Sequence, residues 1–142
     1  INQFLKKTKF NKIFLGEKDF QQLFLIKKFV KTRFKINVIP CKTIREKSFF
    51  PYSSRNKLLS NEAKIRARKI SALLKNFWTK IKKDKKKLNE LHDIYLLISK
   101  FADKVEYFEI RNKYNLKTKF DNKSFKIFIA YYLNKIRIID NY

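Results

Sequence analysis

Two short polar segments contain the residue types that could bind phosphate groups. The first, residues 16–22, reads Gly-Glu-Lys-Asp-Phe-Gln-Gln and follows an apolar run, which predicts a strand, a tight glycine turn and a helix start. Glycine lets the backbone approach a ligand closely, and the first helical turn offers unpaired N–H groups to an anion. Lys18 adds a phosphate contact and Asp19 a hydroxyl acceptor. The same residues are also typical of an ordinary strand-to-helix turn with solvated charges.

The second segment consists of Ser53, Ser54, Arg55 and Asn56, on a loop that directly precedes a predicted helix. Its hydroxyls and backbone N–H groups can donate to phosphate oxygens, and the planar guanidinium can neutralise their charge. A serine-rich loop with one arginine is also a common surface turn. The residue types alone therefore leave triphosphate binding as one of two interpretations.

The apolar spacing at the start of the chain predicts a helix end followed by a strand. Residues 1–10 are expected to finish a helix, with Phe4 and Leu5 on its buried side. Residues 13–15 predict a short buried strand that leads into Gly16.

A helix of about four turns is predicted to start at Asp19, a residue type favoured at helix N-caps. Its apolar positions are Phe20, Leu23, Ile26, Val30 and Phe34. The β-branched run at 36–39 predicts a second strand ended by Pro40, which residues 41–44 could extend. Strand, helix and strand form a parallel βαβ pattern, whose ligands bind at the carboxyl ends of the strands. Ile44 and the glycine turn lie at these ends.

The second part of the chain predicts two helices followed by three strands. Residues 46–59 have no regular period and are predicted as a loop that holds the boundary between two structural units. Ser60 is predicted to cap a long helix with apolar positions at Ala63, Ala67, Ile70, Leu74, Phe77 and Ile81. A second helix packs back on it through Leu88, Leu91, Tyr95, Ile98 and Ala102. Strands follow at 105–111, 125–133 and 136–139, the last two joined by a tight Asn134-Lys135 hairpin.

Composition restricts the functional classes. The formal net charge of +24 suggests nucleic acid, but the positive residues are spread over nearly every segment, and the densest run, 80–87, is typical of a solvated helix end. The lone Cys41 cannot form an internal disulfide, and no apolar run of about 18 residues could span a membrane. We therefore expect a cytoplasmic protein without a membrane partner. The chain contains no methionine and starts at Ile1, so we expect a piece of a longer gene product.

The two polar segments and their spacing resemble the pantoate-beta-alanine ligase family of adenylate-forming nucleotidyltransferases. The similar text comprises residues 15–23, the Ile44-Arg45-Glu46 run, and the Ser53-to-Asn56 run with Leu59-Ser60 after it. Residues 109–111 and 137–141 resemble the family's last strands. The resemblance covers essentially the whole chain but only the second half of the family's enzyme.

This resemblance implies an α/β fold and a ligase of the coenzyme A pathway. Residues 1–50 would form the C-terminal part of a Rossmann-like ATP-binding domain, and residues 51–142 an α+β lid domain of two helices and a three-stranded antiparallel sheet. ATP and pantoate would give pantoyl adenylate and pyrophosphate with Mg²⁺, whose ligands are expected in the missing half. Beta-alanine would then attack the adenylate to release pantothenate and AMP.

The resemblance also implies roles for individual residues. Gly16 and Asp19 would contact the ribose, Glu17 would join the same ATP-binding turn, and Gln22 would bind pantoate. Lys18 would contact the phosphates and the carboxylate being activated. Ile44 would pack near the adenine, and the residues that close over the triphosphate would be Tyr52, Ser53, Ser54 and Arg55. Lys18 and Arg55 would be catalytic, because joining a carboxylate to a phosphate needs cations aimed at the developing charge.

The chain departs from the family pattern at two places. It lacks the family's HxGH motif, so the chain alone should be inactive. Its only histidine, His92, is predicted to be structural. Residues 48–51 read Ser-Phe-Phe-Pro where the family has an Asp-Gly-Leu type sequence, and loss of that glycine could stiffen the loop. The full-length protein is expected to be a homodimer. Two alternatives stay open: a small basic nucleic-acid-binding protein, and another adenylyl-transferring synthetase that activates a different acid.

Overall fold

The computed structural model describes residues 2–7, 10–121 and 124–142, and of Phe4 only the backbone. The chain is divided into two compact units, residues 1–43 and residues 44–142. The first unit contains helix α1 (Asn2–Lys7), strand β1 (Lys12–Gly16), a 3-10 helix (Glu17–Asp19), helix α2 (Phe20–Arg33) and strand β2 (Asn37–Cys41). β1 and β2 pair in parallel, so the predicted strand–helix–strand order is confirmed.

The core of the first unit lies between α2 and the parallel strands. Leu23, Ile26 and Val30 form the buried face of α2, as their spacing predicted, and pack with Leu5 and Val38. The predicted burial of Leu5 is confirmed, whereas the side chain of Phe4 and residues 1, 8 and 9 lie outside the described residues.

In the first unit the predicted end of α2 was wrong, whereas the predicted extension of β2 beyond Pro40 is confirmed as far as Cys41. α2 ends at Arg33, because Phe34 has extended backbone angles and only its N–H completes the last helical turn. β2 continues past Pro40 to Cys41, as the predicted extension beyond the proline allowed, and pairs Pro40 with Leu15. Proline is tolerated here because each strand of a two-stranded sheet has one edge where no ladder hydrogen bond is required.

The second unit packs helices against an antiparallel sheet. It contains a 3-10 helix (Ser54–Leu58), helix α3 (Asn61–Lys83), a second 3-10 helix (Lys85–Glu90), helix α4 (Leu91–Ser99), and strands β3 (Lys104–Asn112), β4 (Phe125–Leu133) and β5 (Ile136–Asn141). The strand order is β3-β4-β5, with antiparallel pairing throughout. The predicted mixed fold, with helices and a three-stranded antiparallel sheet, is therefore confirmed.

Helix α3 forms one side of this core. The Ser60 hydroxyl accepts a hydrogen bond from the N–H of Ala63 at 3.1 Å, which confirms the predicted N-cap. The buried face contains all six predicted apolar residues, namely Ala63, Ala67, Ile70, Leu74, Phe77 and Ile81. These residues pack with buried residues of α4, β3, β4 and β5.

The second predicted helix differs from expectation. Leu88 belongs to the 3-10 helix, Ala102 follows the end of α4, and Tyr95 is exposed while Ile94 is buried with Ile98. A 3-10 helix has about three residues per turn, so it changes the phase of the apolar face that continues into α4. The single periodicity predicted through this region was therefore wrong.

Local turn chemistry was predicted more reliably. Asn134 and Lys135 have φ values of 49° and 64°, the conformation expected of a two-residue hairpin with the twist of antiparallel strands. The lysines of the 80–87 run mostly lie exposed at the end of α3 and in the following 3-10 helix, which fits the predicted solvated helix end. No helix in the described part of the chain combines the length and apolar character needed to cross a membrane.

The compact units and the predicted domains have different limits. The second unit starts at Ile44, earlier than the predicted limit between residues 50 and 51. The difference arises because Arg45 is hydrogen bonded to β5 and Phe50 is buried in the α3–sheet core. The assignment of the two units to an ATP-binding domain and a lid domain stays a prediction.

Candidate functional site

The turn at Gly16 does not require glycine for its backbone conformation. Gly16 has φ −68° and ψ 133°, which are ordinary extended angles, so the expected tight glycine turn is replaced by a strand end followed directly by a 3-10 helix. Apart from Gly16 itself and its two chain neighbours, no described residue has an atom within 4 Å of a Cβ atom built on Gly16. The fold therefore leaves open space beside the backbone at the end of β1, where a ligand could approach closely.

The polar residues after Gly16 occupy one short turn. Asp19 lies at the N-cap position of α2, but its carboxylate makes no capping hydrogen bond. It is exposed, as is Gln22 in the first turn of α2, whereas Glu17 and Lys18 are partly buried. Asp19 was thus predicted at the correct position with the wrong local role, and its exposed carboxylate can accept hydrogen bonds from a ligand.

Cys41 lies beside this turn on the neighbouring strand. The parallel register pairs Gly16 with Cys41, and the Cys41 thiol is free and exposed. Adjacent strands are separated by about 4.8 Å. The single thiol of the chain is therefore a chemical reporter for ligands that cover the end of β1.

Residues 44–52 form a small hairpin in the second unit, which we call the 44–52 hairpin. The Tyr52 N–H donates to the Ile44 carbonyl at 3.1 Å, and Arg45 bridges Pro51 in an antiparallel pair. The Glu46 N–H donates to the Phe50 carbonyl at 2.9 Å, which closes the turn. Ile44 and Tyr52 are 74% and 60% exposed, so two large side chains face outward at the open end of the hairpin.

The guanidinium of Arg45 holds this hairpin on β5. It forms two 2.9 Å hydrogen bonds to both carboxylate oxygens of Asp140 and a third, also 2.9 Å, to the Asn141 carbonyl. It also donates to the Phe49 carbonyl at 2.8 Å and lies 4.3 Å from the centre of the Tyr142 ring. Burial opposes its charge, but the hydrogen bonds to Asp140 raise the pKa of Arg45, so it stays cationic.

Tyr142 completes the same cluster. Its hydroxyl lies 3.0 Å from Nη1 of Arg45 and 3.2 Å from the carbonyl oxygens of Phe49 and Ser71. Burial raises the pKa of Tyr142, so the phenol remains protonated near neutral pH. The cluster connects the hairpin, α3 and β5 through satisfied hydrogen bonds.

A second, more exposed ion pair holds the outer side of the hairpin. Nε of Arg68 on α3 donates to a Glu46 carboxylate oxygen at 2.7 Å, and the Ser48 hydroxyl donates to the same oxygen at 3.2 Å. The Arg68 hydrogen bond holds the pKa of Glu46 below its ordinary value.

Phe49 keeps a conformation that favours glycine. Its φ is 67°, in the left-handed region, at the position where the resemblance predicts the family's glycine. The Phe49 N–H donates to the Glu46 carbonyl at 2.9 Å, and the Lys75 ammonium lies 5.5 Å from the centre of the phenyl ring. The hairpin therefore has a backbone conformation typical of glycine at a position occupied by phenylalanine.

The Ser53-to-Asn56 run forms the start of a 3-10 helix rather than an irregular loop. The Ser53 hydroxyl caps this helix by accepting from the Arg55 N–H at 3.4 Å. Ser54 and Arg55 are exposed, and Arg55 donates to the Arg137 carbonyl on β5 at 3.2 Å. Asn56 donates to the Pro51 carbonyl at 3.0 Å, which fixes the helix to the base of the hairpin.

The structure brings the candidate residues into two local groups. In the first unit they are Gly16, Glu17, Lys18, Asp19 and Gln22; in the second they are Ile44, Tyr52, Ser53, Ser54 and Arg55. Sequence reasoning missed the roles of Arg45, Asp140 and Tyr142. The signal that could have found them was the joint resemblance of Arg45 and the 137–141 segment to the family, read as a contacting pair.

The described residues do not provide a metal centre. Within residues 2–7, 10–121 and 124–142, no three His, Cys, Asp or Glu side chains are grouped so that they could hold a metal ion. The described residues therefore form no metal site made of protein ligands alone.

Comparison with known proteins identifies the family. The model of the family described as pantoate-beta-alanine ligase matches residues 1–142. A pantothenate synthetase from Francisella tularensis subsp. mediasiatica is 34% identical over 145 aligned positions, which cover 100% of this chain and 47% of the relative. That from subspecies novicida is 36% identical, over 97% of this chain and 45% of the relative. The chain thus spans about half the length of these curated relatives.

Comparison with solved structures supports the same family. A Francisella tularensis pantoate-beta-alanine ligase, complexed with beta-gamma ATP and beta-alanine, superposes with a TM-score of 0.76 at 33% identity over 99% of this chain and 46% of that chain. Pantothenate synthetase from Thermus thermophilus has the same fold, with a TM-score of 0.79 at 21% identity over 99% of this chain and 52% of that one. The family match gives no support to the nucleic-acid-binding alternative. The chain belongs to the pantoate-beta-alanine ligase family.

Proposed function

We propose that this chain supplies ATP- and pantoate-binding residues of an enzyme that joins pantoate to beta-alanine. The observation that carries the proposal is its similarity, over 99% of the chain, to a Francisella ligase complexed with beta-gamma ATP and beta-alanine. The exposed polar turn after β1, with open space beside Gly16, gives local support because it leaves room for a ligand.

The proposed reaction has two steps. A pantoate carboxylate oxygen attacks the α-phosphorus of ATP, the bond from that phosphorus to the bridging oxygen breaks, and pyrophosphate leaves. The amine of beta-alanine then attacks the acyl carbon of pantoyl adenylate and loses a proton. The carbon–oxygen bond to phosphate breaks, which releases AMP and pantothenate. Both anionic reactants of the first step must be held together, so cationic side chains should contribute more than a nucleophilic one.

In the first unit, we assign ATP to the turn at residues 16–19 and pantoate to Gln22. Gly16 and Asp19 would contact the ribose, since the Asp19 carboxylate is exposed and not used as a helix cap. Glu17 belongs to the same turn. Lys18 would bring positive charge to the phosphates and to the carboxylate that attacks them.

In the second unit, we assign the adenine to Ile44 and the triphosphate to residues 52–55. Ile44 is the more exposed of the two outward side chains of the 44–52 hairpin. Ser54 and Arg55 are exposed at the start of their 3-10 helix, where the Ser54 hydroxyl and the Arg55 guanidinium can bind anions. Arg55 would exchange its single 3.2 Å bond to the Arg137 carbonyl for phosphate oxygens.

The finer architecture belongs to the same proposal. We infer that the β1–α2–β2 unit is part of a Rossmann-like sheet and that the second unit acts as a lid. A cytoplasmic homodimer, with Mg²⁺ ligands in the part of the enzyme that this chain does not match, completes the proposal.

A chimaera tests the proposed function. The N-terminal half of the Francisella relative, joined to this chain, should catalyse pantoate-dependent exchange of labelled pyrophosphate into ATP, whereas the chain alone should not. Lys18→Ala and Arg55→Ala should each lower the exchange rate by about 100-fold, because each removes a cation from the developing charge.

Matched lysines provide the controls. Lys12→Ala on β1 and Lys57→Ala in the same 3-10 helix as Arg55 remove exposed charges without touching the assigned residues. Both should retain exchange within about 3-fold of the parent. An active chimaera whose Lys18→Ala and Arg55→Ala variants match these controls would refute the two catalytic assignments.

A further inference from the structure

We propose that Arg45 is a positioning residue that sets the nucleotide-facing side of the 44–52 hairpin without touching the nucleotide. The inference rests on the proposed function, because it assumes that Ile44 and Tyr52 face ATP. It assigns a role to a residue whose side chain points away from the candidate site. The partners of Arg45 in this role are Asp140 and Tyr142.

The ion pair between Arg45 and Asp140 is partly buried and is therefore held more firmly than an exposed ion pair. Its side chain is 18% exposed and the Asp140 side chain 1% exposed, and both carboxylate oxygens are bonded to the guanidinium fork. Such bidentate, partly buried pairs fix orientation as well as distance. Breaking the pair would leave a buried carboxylate without its arginine, which is strongly unfavourable.

This attachment determines which way the neighbouring side chains face. Adjacent residues of extended backbone point to opposite sides. Because Arg45 points onto β5, Ile44 points outward, and the 3.1 Å bond from Tyr52 to the Ile44 carbonyl fixes the register of Tyr52. Tyr52 is followed directly by Ser53, which caps the helix that carries Arg55.

The same guanidinium also fixes the turn of the hairpin. It donates to the Phe49 carbonyl at 2.8 Å, and the Tyr142 hydroxyl lies 3.2 Å from that oxygen. Phe49 is the residue in the left-handed conformation. One arginine thus holds both the turn and the open end of the hairpin, where the proposed nucleotide contacts lie.

The test compares Arg45→Lys with Arg68→Lys in the chimaera that joins the N-terminal half of the Francisella relative to this chain. Lysine keeps the charge at either position but cannot reproduce a guanidinium fork. Arg68 contacts the same hairpin through Glu46, but its side chain is 43% exposed, so it serves as a matched control. Two quantities are measured: the amide exchange rate of Tyr52 relative to that of Leu74 in the middle of α3, and the dissociation constant for ATP.

Arg45→Lys should accelerate exchange at Tyr52 by at least about 10-fold while Leu74 stays within about 2-fold, because the hairpin opens locally. It should also weaken ATP binding by about 10-fold. Arg68→Lys should change each quantity by less than about 3-fold. A general structural role for Arg45 would accelerate Leu74 as much as Tyr52, and that result would overturn the proposal.

The outcomes separate this inference from the proposed function. A parent chimaera that does not bind ATP would overturn the ATP assignment, and with it the role of Arg45 toward a nucleotide. A parent chimaera that binds ATP, with Arg45→Lys binding equally well, would overturn this inference alone. If Arg45→Lys does not fold, Tyr142→Phe replaces it, since it keeps the ring and removes the hydroxyl contacts to Arg45, Phe49, Ser71 and Asp140. Unchanged Tyr52 exchange in Tyr142→Phe would then count against the proposal.

Discussion

The two units of the chain bury their apolar residues to very different degrees. In the second unit a 23-residue helix packs on three antiparallel strands, and all of its predicted apolar positions are buried. In the first unit one 14-residue helix packs on two parallel strands, and among the described residues its core contains five buried apolar side chains against 17 in the core of the second unit. Parallel sheets are usually covered on both faces. The second unit should therefore dominate the stability of the chain.

The same contrast applies to the candidate residues. In the first unit they follow one another along a single turn, so local backbone geometry places them. In the second unit the hairpin is held by Arg45 and Asp140, which are far apart in the sequence and 2.9 Å apart in space. Mutations in the core of the second unit should thus affect its candidate site, whereas the turn after β1 depends mainly on its own residues.

The largest expected effect tests the core of the second unit. Leu74→Ala removes a fully buried side chain from α3 and should lower the free energy of unfolding by about 3 kcal/mol. Urea denaturation followed by the fluorescence of the single tryptophan, Trp78, measures it. Phe14→Ala is the matched change on the exposed face of the first unit and should stay within about 0.5 kcal/mol. Equal losses would contradict the contrast between the units.

A smaller loss is expected at the corner between α4 and β3. Asp103 accepts from Arg66 on α3 at 2.7 Å and from the Asn134 N–H of the β4–β5 turn at 2.6 Å. These hydrogen bonds, of which the one from Arg66 has the largest effect, hold the pKa of Asp103 below its ordinary value. Because the carboxylate is partly exposed, Asp103→Ala should cost only about 1.5 kcal/mol in urea denaturation. Asp93→Ala, on the exposed face of α4, should leave the free energy of unfolding almost unchanged. A loss of stability similar to that of Asp103→Ala would refute the role of Asp103.

The left-handed residue of the hairpin gives a third test. Phe49→Val places a β-branched side chain at φ 67° and should destabilise the second unit by about 1 kcal/mol. Lys47→Val changes a neighbouring exposed residue that is not among the positive-φ residues of the described chain. Thermal unfolding of the two variants should therefore differ, and equal melting temperatures would mean that the turn rearranges.

The smallest effect concerns acid. Arg68 lowers the pKa of Glu46 from its ordinary 4.5, so the folded chain binds this proton less tightly than the unfolded chain does. The contribution of Glu46 is fully present above pH 4.5 and disappears as the pH falls through the lowered value. As the pH falls through this window, the free energy of unfolding should decrease less in Glu46→Gln than in the parent. The difference between the two should be less than about 1 kcal/mol. Parallel curves for parent and variant would contradict the ion pair.

Local sequence patterns predicted most of the fold. The cap at Ser60, the buried face of α3 and the positive φ values at Asn134 and Lys135 each depend on residues close in sequence. The phase change before α4 was missed because a 3-10 helix and an α-helix have different periods and the lysine-rich link carries little apolar signal.

The site was predictable only in part. The family resemblance indicated which residues to consider, and the spacing placed Gly16 at the end of a parallel strand, which the structure confirms. The sequence did not reveal that Gly16 has ordinary backbone angles, because glycine is compatible with nearly all conformations. The attachment of Arg45 to β5 was missed because long-range hydrogen bonds leave no periodic signal in one sequence.

The most direct test of the central claim uses the only glycine of the chain. Segmental labelling of this chain with ¹⁵N-glycine inside the chimaera places one backbone amide signal at Gly16. During titration with ATP, the Gly16 signal should shift and saturate, and Lys18→Ala should weaken the apparent affinity. A Gly16 signal that stays unchanged throughout the titration, in a chimaera that is active in pyrophosphate exchange, would contradict the assignment of ATP to this turn.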